Sequence, residues 1–413
     1  MISRRTLLGL AGLGLGAWAL PAWAGPSASG RRFIFVFADG GWDTTRVFSP
    51  MFDNPNVDME SDVATAEVSG IRFVDSGDRP QVRAFFEDHG HMACVLNGIQ
   101  MKSVAHTACK RQIMTGSLHQ GPVDWATRLG SRTGDGLHMP LVAFSGPLYS
   151  EELNGAVVRV GEERQLAGLL DGQATLDATI PMDPVRADLA ALQDDALATL
   201  LAARTPGTGR EADHLAQAIA AESRGRAMIG MADQLDMGSA QTLPDKLLLM
   251  GELFERDLAA CGIVQHNGSL NLSWDTHGDN ARQGPSFEQL FESLNILVED
   301  LSSRPGSSGS LMDDTTVVVF SEMGRFPLLN AHGGKEHWVW TSAMLFGAGV
   351  AGGQVIGHYN EGFTGDSVDL DSGGLDNSGV TLTPEHLGAT LFALADIDPA
   401  EHVSADPIRA ALL

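Results

Sequence analysis

The chain has 413 residues and a formal net charge of −25. That length can bury a large core, and the charge argues against nucleic acid as a partner, because phosphate binding needs a basic surface. Cys94, Cys109 and Cys261 are few and odd in number, so no disulfide framework is implied.

The first 24 residues read as an export signal. Ser3-Arg4-Arg5-Thr6-Leu7-Leu8 is a twin-arginine pattern, followed by a short apolar run and the small-x-small site Ala22-Trp23-Ala24. The run is short for a bilayer span, so the expectation is a periplasmic or secreted bacterial protein with no membrane anchor after cleavage, its first partner being the twin-arginine export machinery.

Arg32 to Ala38 is a continuous apolar run, the mark of a fully buried strand, and ends at Asp39-Gly40-Gly41. Further strands are predicted at His91 to Ile99, Pro140 to Ser145, Ser269 to Ser273, Thr315 to Phe320 and Ser342 to Phe346. A helix opens at Ala105-His106-Thr107 and closes near Thr115-Gly116. Residues 183–262, rich in Ala, Leu, Gln and Arg, read as three helices, either an insertion or cap or simply more crossover helices. Ser286 to Ser303 carries a helical apolar stripe, and Thr383-Pro384-Glu385 starts a last helix. Buried strands alternating with such helices predict a mostly parallel α/β sheet over 31–413.

In open α/β sheets ligands bind beyond the carboxyl ends of the strands. That rule selects Asp39 and Asp43, His106 and Thr107, Asp275 and His277, and Glu322, with the His332 to His337 loop following at once. Asp275 and His277 flank one residue and point the same way in an extended segment. Glu322 directly follows an apolar run, where an unpaired carboxylate is costly, so metal or Arg325 is its partner. His332 and His337 share a loop with two glycines, Lys335 and Glu336. Thr107, at a helix N-terminus, is the candidate hydroxyl nucleophile or a helix cap. Lys335 and Arg325 are the cations available to neutralise an anionic ester. Oxygen and nitrogen ligands without thiolate fit zinc, manganese or calcium.

Taken together, Gly40-Gly41-Trp42-Asp43, the helix from His106, Trp274-Asp275-Thr276-His277-Gly278, Ser321-Glu322-Met323-Gly324-Arg325 and His332 to Trp338 resemble the alkaline phosphatase/sulfatase superfamily. More closely they resemble its exported bacterial branch labelled a domain of unknown function. The resemblance implies a doubly wound sheet, divalent metal (commonly zinc) and hydrolysis of phosphate or sulfate esters of a small molecule, lipid or glycan. It implies Asp39 or Asp43 as first metal ligand, with Asp275, His277, Glu322 and His337 as later ones. At the position where the superfamily carries its nucleophile this chain has His106, with Thr107 one place on, and Met323 stands where a histidine ligand is usual. The same fold without catalysis, as an envelope binding or assembly protein, is the alternative reading.

Overall fold

A computed structural model describes residues 30–160, 209–228 and 241–413 apart from 308, with scattered positions between 192 and 235. The expected export signal and much of the segment from 183 lie outside the described residues.

In chain order the strands are β1 (Arg32–Ala38), β2 (Ala64–Val68), β3 (Ile71–Asp75), β4 (Ala93–Gln100), β5 (Met139–Ala143), β6 (Val157–Arg159), β7 (Ala259–His266), β8 (Thr315–Ser321), β9 (Gly324–Arg325), β10 (His337–Trp338), β11 (Trp340–Gly347) and β12 (Gln354–Ile356). Eight form one sheet in the order β12-β4-β11-β8-β1-β7-β5-β6. All its pairings are parallel except those of β11, which runs antiparallel to β4 and β8. The doubly wound, mostly parallel α/β sheet expected from the sequence is therefore present.

The helices are α1 (Pro80–His89), α2 (His106–Thr115), α3 (Trp125–Thr133), α4 (Arg210–Met228), α5 (Leu243–Glu255), α6 (Gln283–Ser303) and α7 (Pro384–Leu394). Side chains of β1 alternate between two cores, as the period of an extended chain requires. Ile34 and Val36 pack with Phe85 and Phe86 of α1, Leu253 of α5 and Phe291 of α6 in one. Phe33, Phe35 and Phe37 pack with Ile113 of α2, Leu129 of α3 and Leu391 of α7 in the other. The sheet is thus covered on both faces, which is why its central strands read as unbroken apolar runs.

One expected strand is corrected. Ser269 to Ser273 is not extended, because Leu270, Asn271 and Ser273 all adopt positive φ, at 57°, 57° and 66°. The strand in this region is β7, whose first half overlaps the end of the segment read as helical, where small residues (Ala259, Ala260, Gly262) hide the β-branched pattern. Of that segment's described part, α4 and α5 are helical, and Leu243, Leu247 and Leu253 of α5 join the core beside the sheet. Among the described residues no helix is long and apolar enough to cross a membrane.

His266, at the end of β7, is 5% exposed and its ring packs edge-on to Trp274 at 5.4 Å. Burial pushes its pKa down to about 4. The neutral imidazole is therefore favoured in the fold, and its contribution to stability is complete above the unfolded value near 6.5 and lost as pH falls toward 4. The expected loss is about 3 kcal/mol across that window. Denaturant unfolding of metal-stripped protein at pH 7 and pH 4 checks it, since His266→Gln should lack that share of the acid-induced loss.

Candidate metal centre

The carboxyl ends of β1 and β8 lie side by side, with Ala38 opposite Ser321. Gly40 and Gly41 follow with φ of 126° and 82°, left-handed backbone that favours glycine. The turn aims successive N–H groups at one carboxylate. Glu322, wholly buried, accepts from Gly40 N at 3.0 Å, Gly41 N at 3.2 Å and Ser321 Oγ at 3.0 Å. A Cβ on Gly40 would lie 2.6 Å from the amide nitrogen of Asp275. Gly40→Ala should therefore lower Tm, costing about 1–3 kcal/mol for backbone conformation before the clash is counted; thermal unfolding measures it.

Glu322 passes its order to the next group. Its Oε1 lies 2.8 Å from Nδ1 of His106, the first residue of α2. A carboxylate there accepts from Nδ1–H, so Nε2 carries the lone pair and faces Asp275 Oδ2 at 3.5 Å. His337 arrives by a different route. The ribbon β9–β10 pairs it with Arg325, and its Nδ1 lies 2.7 Å from the carbonyl of Val104. A carbonyl only accepts, so here too Nδ1 donates and Nε2 is bare. His277 repeats the pattern, with Nδ1 2.8 Å from Glu336 Oε2.

The bare nitrogens converge. His277 Nε2 and His337 Nε2 are 2.9 Å apart, and they lie 3.1 Å and 3.4 Å from Asp275 Oδ1. One donor atom from each of His106, Asp275 and His337 falls within 4.8 Å of the others. Asp275 is held in turn by Arg325, whose Nη2 reaches Oδ1 at 2.7 Å. Burial raises the Asp275 pKa, but hydrogen bonds from His106, His337 and Arg325 outweigh it and hold the carboxyl well below its usual range. The hydrogen bonds to Asp275 and Glu322 lift His106 to about 9. Lone pairs and a carboxylate focused on one point demand a cation, and a proton or a divalent metal ion satisfies that demand. The outer nitrogens, each tied to an acceptor, are what metal-binding imidazoles show. The His-Asp-His group could hold a metal.

The other candidate residues lie elsewhere. Asp43 is fully buried and paired with Lys335, its Oδ2 2.9 Å from Nζ, and it accepts from Asn280 Nδ2 at 2.7 Å. Burial raises its pKa, but Lys335, Arg46 and these hydrogen bonds prevail and lower it. Asp39 forms an ion pair with Lys110 and accepts from Gln265 Nε2 at 2.9 Å. His332 is exposed at the loop tip, where only its backbone N–H is engaged, by Asn330. Glu322 stands behind His106 rather than in the convergent set.

Neither expected substrate cation is free. Lys335 Nζ is spent on Asp43, on Thr45 Oγ1 and on the Asp58 carbonyl, the last two at 3.1 Å. Arg325, wholly buried, binds Gly40, Gly41, Trp274 and Lys335 carbonyls besides Asp275. Thr107 is exposed in the first turn of α2, and its side chain hydrogen-bonds to none of the described residues. Glu336, as the partner of His277, was flagged in the sequence only by its place beside His337. The Val104 carbonyl carried no sequence signal, since any residue supplies one.

Comparison with known proteins adds the following. The chain is similar to a lipooligosaccharide phosphoethanolamine transferase from Neisseria meningitidis, at 11% identity over 92% of this chain and 57% of that one, with a TM-score of 0.42. It is similar to the lipoteichoic acid synthase LtaP from Listeria monocytogenes, at 10% identity over 93% and 76%, with a TM-score of 0.41. A protein of the alkaline phosphatase superfamily from Vibrio parahaemolyticus matches at 10% identity over 94% and 71%, with a TM-score of 0.38. No curated protein sequence matches. Residues 210–401, which carry Asp275, His277, Glu322 and His337, match the family model described as "Protein of unknown function (DUF1501)".

Proposed function

We propose that the chain is an exported, metal-dependent hydrolase of phosphate or sulfate esters, with His106, Asp275, His337 and His277 as the metal ligands. The observation that carries this is the facing of three imidazole lone pairs and one carboxylate, each ring fixed from behind. A nitrogen-rich set favours zinc and disfavours calcium, which takes oxygen ligands. When bound, the ion would supply Lewis-acid polarisation of the ester oxygen and a lowered pKa for water.

The chain's own residues orient the ligands. Glu322 and the Val104 carbonyl lock His106 and His337 in the tautomer that bares Nε2. Arg325 keeps Asp275 ionised and in place. His277 is the most open of the rings, with a side chain 40% exposed, and Glu336 behind it accepts from Nδ1 and fixes the ring. The Thr107 hydroxyl, hydrogen-bonded to no base among the described residues, is left out of the bond-making step. Thr107→Ala should keep most of the turnover, as an aryl-ester assay would show.

A second reading keeps the metal and drops the chemistry. Its support is that Lys335 and Arg325 are both consumed internally, which leaves an anionic ester no cation from either. Turnover of aryl phosphates and sulfates by natively exported protein, abolished by a chelator, separates the two. Turnover upholds the hydrolase, and stoichiometric metal without turnover upholds a binding protein for an envelope glycan or lipid ester.

A further inference from the structure

A cleft of about 300 Å³ opens away from the metal ligands, between the β2–β3 hairpin and the outer strands β4 and β12. It is lined by Phe48, Met51, Glu67, Arg72, Asn97, His358 and their neighbours. Gly357 follows the last residue of β12 and Asn97 lies within β4 beside it, so the cleft sits where the short edge strand β12 ends.

Its mouth carries an unusual pair of charges. Glu67 and Arg72 stand directly opposite each other across the hairpin, where Cβ atoms lie about 5 Å apart and opposite charges ordinarily pair. Here they do not. Both are exposed, and neither has an ion-pair partner among the described residues. The floor offers one more unspent donor. Asn97 uses Nδ2 on the Phe48 carbonyl at 3.0 Å and its oxygen on Ser342 Oγ at 2.6 Å, which leaves one amide N–H. The wall is preformed, because Gly70 at the hairpin tip (φ 80°) seats against Gly353, whose carbonyl oxygen a Cβ would meet at 2.2 Å.

We propose that this cleft binds a small zwitterion, its ammonium against Glu67 and its anionic group against Arg72 and the Asn97 amide. A carboxylate, sulfonate or phosphate could serve as the anion, and short spacers between the two charges fit a cross-strand pair. Phe48, Met51 and Val355 supply the apolar wall against the spacer. The site is separate from the metal centre and does not depend on it.

Calorimetric titration of the full mature protein tests the idea with β-alanine and taurine as probes, and with propionate and propylamine as single-charge controls. The zwitterions should bind at least about tenfold more tightly than either control, a difference of about 1.4 kcal/mol. Arg72→Gln and Glu67→Gln should each remove that advantage. The exchanged pair Glu67→Arg with Arg72→Glu should restore part of it, because a zwitterion can reverse. Chelated protein and the His337→Ala variant should bind as the wild type does. Absence of zwitterion binding, equal affinity for the controls, or loss on His337→Ala would overturn the proposal. The last result would place the ligand at the metal instead.

Discussion

Asp275→Ala should leave a folded protein that carries no stoichiometric metal and turns over no ester. Asp275 is the one side chain that all three imidazoles face, and it is the only carboxylate in the convergent set. Its loss leaves imidazoles that repel as cations once protonated and cannot balance a divalent charge. His337→Ala should behave likewise. Glu322→Gln is the informative partner. It keeps the shape and removes the charge behind His106, so metal affinity should fall about 10- to 100-fold without vanishing. Elemental mass spectrometry of protein isolated from its own cells, with competition against a chelator of known affinity, reads all three. Wild-type protein without metal under those conditions would sink the hydrolase reading.

Lys335→Met should destabilise the fold by about 3–5 kcal/mol, the cost of stranding a buried charge. The stranded group is Asp43, fully buried with Lys335 Nζ at 2.9 Å. Adding Asp43→Asn should recover much of the loss, since the amide oxygen can still accept from Asn280 and no charge remains. Denaturant unfolding of the single and double variants measures this. Had Lys335 served to neutralise a substrate, its loss would lower kcat/KM at unchanged stability, and that outcome would contradict the structural role argued here.

These two sites show what the sequence makes legible. Continuous apolar runs at β1 and β8 announce buried strands, and the rule that ligands gather at strand ends leads to His106 and the His337 loop, whereas Asp275 was reached through an expected strand, Ser269 to Ser273, that is not extended. Pairing is what the one-dimensional pattern conceals. Asp39, Asp43, Glu322, Arg325 and Lys335 all stand at strand ends or in loops with the composition of ligands and substrate clamps. Which are consumed by one another depends on burial and on a few ångströms. β7 was missed because alanine and glycine fill its first half, and β11 gave no sign of its reversed direction, since a strand buried on both faces reads alike either way. The β2–β3 hairpin, with Glu67 opposite Arg72, was not read from the sequence at all.

The reversal of β11 has a consequence for how the centre comes into being. His106 and Asp275 follow strand exits, whereas His337 stands at the entrance to a strand running the other way. His337 therefore has its place only where β11 lies between β4 and β8, joining the pair β12–β4 to the rest of the sheet. A metal held by His106, Asp275 and His337 together would thus require the central sheet to be closed.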